Sequence, residues 1–290
     1  MPKRPLSHTT RLPSEYGNGI RMTNKTRVAL KLAYIGDQYH GFQIQQNAHA
    51  IESEIFAALE KNDVVDGIKE ARYSSAARTD RGVHASGQII AFDTGAGFGD
   101  SLPRIINHDL PDDIWAWAYA EVPSGFDARR DAVRRDYRYY LYDQGYNVPA
   151  MKESSRLFTG THDFSNFARK IEGVVRTINR IEICERDGFI IIDVSAPSFL
   201  WNMVRRIAAA LEQIGAGSQD SGWIKELLDP KRHPVHRGIK PAPAYGLVLR
   251  SVAFEGVEWI EDEYSKGRMR DAFVDVRIRH ATMNAIYSGL

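Results

Sequence analysis

The densest cluster of chemically capable side chains lies in Ser75-Ala76-Ala77-Arg78-Thr79-Asp80-Arg81-Gly82-Val83-His84-Ala85, a polar loop that runs into the apolar segment from Gly87 to Phe92. Gly82 is free to take a positive φ, so the loop is expected to present Asp80 at a strand end. Flanked by Arg78 and Arg81, the carboxyl should stay ionised with a lowered pKa, a state that suits a nucleophile and a structural ion-pair partner alike. On these physical grounds alone the structural pair has a slight advantage. Other arrangements that carry chemistry are missing from the sequence: no Gly-x-x-x-x-Gly-Lys phosphate loop, no His-Glu-x-x-His, no Gly-x-Ser-x-Gly and no Asp-x-Asp pair. His233 and His236 stand without acids or further histidines beside them and read as part of a surface loop, so no metal is expected.

The elements that must position Asp80 follow from hydrophobic period. Val28, Leu30 and Leu32 alternate with Ala29, Lys31 and Ala33, which predicts a half-buried strand before a turn at Gly36-Asp37. Ile51, Ile55, Ala58 and Leu59 recur at helical spacing, with Glu52 and Glu54 in the first turn where they suit the helix dipole. Gly87 to Phe92, Trp115 to Val122 and Tyr137 to Tyr142 read as strands. On the last of these, Tyr137, Tyr139 and Leu141 share one face and Arg138, Tyr140 and Tyr142 the other. The second half repeats the theme with strands at Thr177 to Cys184 and Phe189 to Val194 around a turn at Asp187-Gly188. A helix is then expected from Pro197-Ser198, with Met203, Val204, Ile207, Ala208, Leu211 and Ile214 in one stripe and Gly215 at its C-terminus. Arg205 falls nearly opposite that stripe at ~100° per residue, which by itself says solvated surface. The order of elements predicts an α+β fold: two similar α/β halves, a mainly antiparallel central sheet, and helices on one face.

Length and composition fit this plan. At 290 residues the chain exceeds the usual single compact domain, and 43% hydrophobic with 26% charged residues is ordinary for a globular protein. The 38 basic and 37 acidic side chains leave a net charge of +1, which excludes a protein that coats nucleic acid by bulk charge and leaves room for a local basic cleft. Cys184 is the single cysteine, so no internal disulfide forms, and the N-terminus lacks the apolar run of a secretory signal. No stretch approaches the ~18 apolar residues of a membrane span. The expectation is an intracellular, cytoplasmic protein without a membrane partner.

Several segments in order resemble one family, the TruA-type tRNA pseudouridine synthases, in an archaeal and eukaryotic-like variant. Ala77-Arg78-Thr79-Asp80-Arg81-Gly82-Val83-His84 is similar to its Gly-Arg-Thr-Asp-Ala-Gly-Val-His signature, and Tyr39-His40-Gly41-Phe42-Gln43-Ile44-Gln45 to its Tyr-x-Gly-Trp/Phe-Gln-x-Gln. Asn107 with Leu110 to Ile114, Phe126-Asp127-Ala128-Arg129, Gly160 to Phe164, Phe199-Leu200-Trp201-Asn202-Met203-Val204-Arg205 and Ala242 to Leu247 match its pattern further along. The resemblance implies isomerisation of uridine to pseudouridine in the tRNA anticodon stem-loop, by default at positions 38 to 40, with Asp80 as the catalytic nucleophile. Such chemistry needs a group that engages the sugar and leaves again, and no cofactor; attack of Asp80 on C1′ and removal of the C2′ proton to give a glycal are both open at the level of sequence. Tyr137 matches the active-site tyrosine of the Tyr-x-Tyr strand, where it would stack on the uracil and help proton removal from C5. Arg205 matches the arginine that pairs with the catalytic aspartate, so its face would look into the cleft. Gln43, Arg78, Arg81, His84, Arg129 and Arg135 are the expected substrate and RNA contacts, with Arg78 the best placed to fill the space of an extruded base. Arg130, Arg134, Lys231, Arg232 and Arg237 extend this basic surface. The family pattern also implies a homodimer.

Two residues depart from the bacterial pattern, Ala77 for Gly and Arg81 for Ala, and both bear on which tRNA positions are modified. The division expected is a basic N-terminal arm at 1–26, a first catalytic half at 27–145 carrying Asp80 and Tyr137, a second at 146–256 carrying Arg205, and a helical C-terminal extension at 257–290. Two rival readings remain: an RNA-binding protein that keeps the fold without the activity, against which Arg78-Thr79-Asp80 and Tyr137 argue, and another carboxylate enzyme such as a glycosidase, which would need a second acid near Asp80.

Overall fold

The computed structural model describes residues 25–95, 97–168, 172–232 and 239–290. Most of the basic arm, and His233, His236 and Arg237, lie outside the described residues.

Eleven strands are present among the described residues: β1 (Thr26–Tyr34), β2 (Ser74–Ser75), β3 (His84–Thr94), β4 (Ile114–Glu121), β5 (Arg134–Tyr142), β6 (Gly160–Asp163), β7 (Val175–Ile178), β8 (Arg180–Arg186), β9 (Phe189–Ala196), β10 (Leu247–Ala253) and β11 (Ile260–Glu261). The helices are α1 (Ile51–Lys61), α2 (Leu102–Asn107), α3 (Val148–Ser155), α4 (Met203–Gly215), α5 (Ser221–Leu227) and α6 (Glu263–Gly289). Nine strands form one sheet in the order β11-β4-β1-β3-β10-β5-β9-β8, with β2 on β3. Every pairing is antiparallel except the short parallel contact of β10 with β3, Val248 opposite His84 and Leu249 opposite Ala85. That contact joins two half-sheets, each with its own core. Leu30, Leu32, Ile51, Ile55 and Leu59 belong to one core, and Tyr139, Leu141, Ile192, Ile207 and Leu211 to the other. Tyr137, expected in the first half, lies on a strand held by β10 and β9, and its ring packs against both cores.

The alternation of β5 is as expected, with Tyr139 and Leu141 buried and Tyr142 exposed. β1 departs from the half-buried strand its sequence suggests, because Ala29 and Ala33 are buried as well as Leu30 and Leu32. The face carrying Lys31 is covered: its ammonium lies 5.1 Å from the ring centroid of Trp117 and 4.5 Å from that of Trp259, and α6 adds Lys266 over Trp117. A lysine that can lay its stem under indole rings reads as a surface position in sequence and is not one. The first turns of α6 thus lie beside Trp117. Arg27, which adjoins the basic arm in sequence, is buried and donates to Asp93 at 2.8 Å.

The expected strand from Thr177 to Cys184 is two strands. β7 pairs with β6 in a separate ribbon, and β8 pairs with β9. The helix expected from Pro197 begins six residues later, at Met203, after Asn202 in a left-handed conformation (φ 62). Gly215 is not the left-handed cap. A Cβ there would meet Met151 Sδ at 2.6 Å, so the residue is small because α3 packs on it, and Gly217 (φ 69) takes the turn.

Candidate active site

The loop bearing Asp80 is pinned along its length. Ala76 N–H donates to Ile89 O at 2.8 Å, and the buried Gln88 side chain brackets Ala77, donating to its carbonyl at 2.7 Å and accepting from its N–H at 3.1 Å. Thr79 Oγ1 lies 2.8 Å from the Tyr34 hydroxyl, and its carbonyl accepts from Phe42 N–H. Val83 N–H returns to Asp80 O at 3.1 Å across a turn in which Gly82 takes φ 77, the positive value the sequence anticipated. The neighbouring loop is fixed by Glu52 of α1, whose carboxylate accepts from Ile44 N–H at 2.9 Å.

From the second half, the segment before α4 reaches across the cleft. Trp201 Nε1–H donates to Asp80 Oδ1 at 2.6 Å, and Arg205 places its guanidinium 3.7 Å from Asp80 Oδ2. Arg205 is itself held by Ala242 O at 2.6 Å and Asn202 Oδ1 at 3.1 Å. The helix face opposite the apolar stripe therefore looks into the cleft rather than into solvent. Phe199 packs edge-on to Tyr137 with centroids 5.1 Å apart.

These groups line a cleft of about 900 Å³. Its described wall holds seven arginines, Arg78, Arg81, Arg129, Arg130, Arg135, Arg176 and Arg205, and one carboxylate, Asp80. The second acid that a paired-carboxylate glycosidase requires is not among the described residues of this wall.

Electrostatics at Asp80 differ from the sequence expectation. Burial pushes its carboxyl above the ordinary value, opposed by the Trp201 hydrogen bond and then by the Arg205 charge. Arg78 and Arg81 are exposed and turned to the cleft wall, so its sequence neighbours do not lower its pKa. Burial also pushes the Tyr137 phenol up, with Arg135 opposing and Asp80 adding to it, so the phenol keeps its proton at neutral pH.

The other expected contacts divide. Gln43, Arg78, Arg81 and Arg129 are exposed on the cleft wall. Arg135 is buried, and its guanidinium donates to the carbonyls of Ala76, Pro197 and Arg129, so it ties three cleft segments together. His84 points away from the cleft. Its Nδ1 accepts from Gly36 N–H at 3.1 Å and its Nε2 lies 3.1 Å from Tyr245 O, a pair that one neutral tautomer satisfies. Sequence reasoning placed Trp201 in a motif without giving it a role, and nothing in helical or strand period marks a loop indole as the partner of a carboxylate 121 residues away. Gln88 was missed as well, although a glutamine inside an apolar strand is a signal for a buried backbone clamp.

A family model described as tRNA pseudouridine synthase matches residues 155–255. The protein named tRNA pseudouridine synthase A of Methanosarcina acetivorans is 47% identical over 267 residues, covering 91% of this chain and 98% of that protein. Its counterpart in Methanosarcina mazei is 48% identical over the same shares, and that of Archaeoglobus fulgidus is 38% identical over 265 residues, 90% of this chain and 96% of that one.

Proposed function

The chain belongs to the tRNA pseudouridine synthase family of isomerases, and from that premise we propose that Asp80 is the nucleophile that converts uridine to pseudouridine in the anticodon stem-loop of tRNA, by default at positions 38 to 40. The observation that carries this is the one carboxylate among the described residues of the cleft wall, held by an N–H and a positive charge from the opposite half, in a cleft that seven arginines help to line. In this reading Asp80 attacks C1′ as the glycosidic bond to N1 breaks, forming an ester to the sugar. The detached uracil turns, C5 bonds to C1′ with expulsion of the carboxylate, and the proton leaves C5 while N1 gains one.

Arg205 and Trp201 hold the carboxylate, and burial of Asp80 keeps its anion poorly solvated and reactive. Tyr137, wedged against Phe199, is the wall for the uracil ring; because its phenol is protonated, it acts by packing and not as a phenolate base. Arg78, Arg81, Arg129 and Arg130 supply phosphate contacts, with Gln43 on the rim and Arg78 filling the place of the extruded base. Arg135 and His84 act by holding segments in place. A tRNA substrate puts the reaction in the cytoplasm, and no described helix is long and apolar enough to cross a membrane. A homodimer is supported by the exposed aromatics Tyr142 and Tyr245 on the back of the second half-sheet and by Val276, Ile278 and Ile286 on the projecting part of α6. Light scattering that gives the monomer mass at micromolar concentration overturns that part.

Incubation of wild type and Asp80→Asn with unmodified tRNA, followed by position-resolved mapping of pseudouridine, tests the whole reading. Wild type is expected to convert a uridine in the anticodon arm and the variant to bind without converting. Conversion by the variant, or none by wild type, refutes it.

A further inference from the structure

Two fixed groups hold the carboxylate of Asp80, and the arginine expected from the sequence, 3.7 Å away, supplies charge without a hydrogen bond. The other is Trp201, whose side chain is exposed (52%) yet turns its single N–H inward to Asp80 Oδ1 at 2.6 Å. An indole left half in water gains little from burial, so a short hydrogen bond weighs heavily in where it points. Local backbone supports the same end. Asn202 takes a left-handed conformation uncommon outside glycine, which turns the chain between Trp201 and α4, and its side chain, instead of capping α4, accepts from Arg205. One short segment thus delivers a hydrogen-bond donor to one oxygen of the carboxylate and a positive charge to the other.

We propose that Trp201 is a positioning residue for Asp80: its indole N–H fixes the rotation of the carboxylate and favours its ionised form without adding a second positive charge beside the nucleophile. The proposal rests on the reading of Asp80 as the reacting group. The balance of charge around Asp80 gives the neutral donor a distinct place. Arg205 faces it from α4, the protonated phenol of Tyr137 from β5, and Arg78 and Arg81 extend from its own loop to the cleft wall. A second arginine on Oδ1 would hold the anion more tightly and weaken it as a nucleophile, whereas an N–H dipole orients it. Of the two influences that oppose desolvation of Asp80, the Trp201 hydrogen bond is the larger.

The test uses the full chain with Trp201→Phe, which keeps an aromatic ring and removes the donor, and Trp201→Gln, which restores an N–H without a titrating group. Single-turnover pseudouridine formation is measured from pH 5 to 9, together with tRNA affinity and thermal melting. Removing the donor lets desolvation raise the Asp80 pKa further, so the acidic limb of the Trp201→Phe profile moves to higher pH. The limb is expected to move by about one pH unit, the size of one charge-assisted hydrogen bond, so that the rate relative to wild type falls most on the acidic side, by up to about tenfold, with tRNA affinity within about twofold. Trp201→Gln brings the limb back toward wild type. A Trp201→Phe limb that does not move, a loss confined to tRNA affinity, or a Trp201→Gln profile identical to that of Trp201→Phe overturns the proposal. Asp80→Asn is run in parallel: if it converts tRNA, the reading of Asp80 fails, whereas inactive Asp80→Asn with an unmoved Trp201→Phe limb removes Trp201 alone.

Discussion

Replacing Arg205 by methionine removes a charge from the carboxylate while keeping much of the aliphatic stem that lies along α4. The charges lie 3.7 Å apart, with side chains 15% and 24% exposed. At that separation two unit charges interact by about 4 kcal/mol at an effective dielectric of ~20 and by about 1 kcal/mol in bulk water. A pair mostly withdrawn from solvent but open to the cleft falls between, at about 2–3 kcal/mol, or roughly 30- to 150-fold in rate if the contact serves the ionised nucleophile. Release of label from C5 of uridine in a single turnover reads this directly, because pseudouridine formation must expel that hydrogen. The loss should be largest in acid. Without Arg205 the carboxyl moves further above its ordinary value, so the ionised fraction falls first at low pH and part of the rate returns as pH rises. Arg205→Lys keeps the charge but cannot serve Ala242 O, Asn202 Oδ1 and Asp80 together, and is expected to fall between wild type and methionine. Because Ala242 O also loses its donor, melting curves must establish that each variant is folded at the assay temperature. A loss below threefold at every pH, or lysine no better than methionine, would refute the reasoning.

Other consequences follow from the same geometry. Burial holds the Asp80 carboxyl above the ordinary value even with the Trp201 hydrogen bond and the Arg205 charge in place, so the fold disfavours its ionised form. Below the unfolded pKa Asp80 is protonated in both states and costs nothing; as pH rises through the folded value the cost grows to its full size. Asp80→Asn should therefore melt higher than wild type at pH 8, with a gap that closes toward pH 4 in scanning fluorimetry; a constant or reversed gap contradicts it. Arg135→Leu strips the donor from three carbonyls and should cost about 3–5 kcal/mol in urea unfolding, whereas exposed Arg130→Ala should stay within about 0.5 kcal/mol of wild type. In tRNA binding Arg130→Ala should instead lower affinity and reduce the salt slope by about 1, and equal stability losses for the two variants would undo the distinction between holding and contacting arginines.

What could be read in advance divides along a physical line. The stripe of α4 and the alternation of β5 were readable because in each a real apolar face meets a real polar one. β1 was not, because Lys31 keeps a surface residue's identity while its stem lies beneath Trp117 and Trp259, which come from distant parts of the chain. The start of α4 was misplaced for a related reason: Pro197 and Ser198 carry a helix-start signature, but the residues from there to Asn202 are held out of the helix to line the cleft. Arg205 shows how far period reasoning goes. Its place opposite the apolar stripe is correct, and the step from opposite the core to exposed is what fails, because α4 lies between a core and a cleft. The ionisation of Asp80 was misjudged through sequence neighbours. In a turn, adjacent side chains diverge, so Arg78 and Arg81 leave Asp80 to partners that only tertiary structure brings near.

The division of those partners between the two halves carries a last consequence. Asp80 stands on a loop fixed mainly by the first half, through Gln88, Tyr34, Ile89 and Phe42, while its hydrogen-bond donor and its paired charge come from the second. The half-sheets meet along the parallel contact of β10 with β3, two residue pairs long, and are laced by Arg135, which reaches from β5 to Ala76 on the first half and to Pro197 at the head of the segment bearing Trp201. A carboxylate satisfied by its own loop would keep the same environment whether or not a cleft had formed. Here closing the gap both desolvates the carboxylate and brings Trp201 and Arg205, the two groups that oppose that desolvation, and the same docking sets the width of the wall that meets RNA. Ionisation of Asp80 and the shape of the binding cleft are therefore one structural event, and Arg135, which touches neither the carboxylate nor its donors, controls both through the backbone it holds.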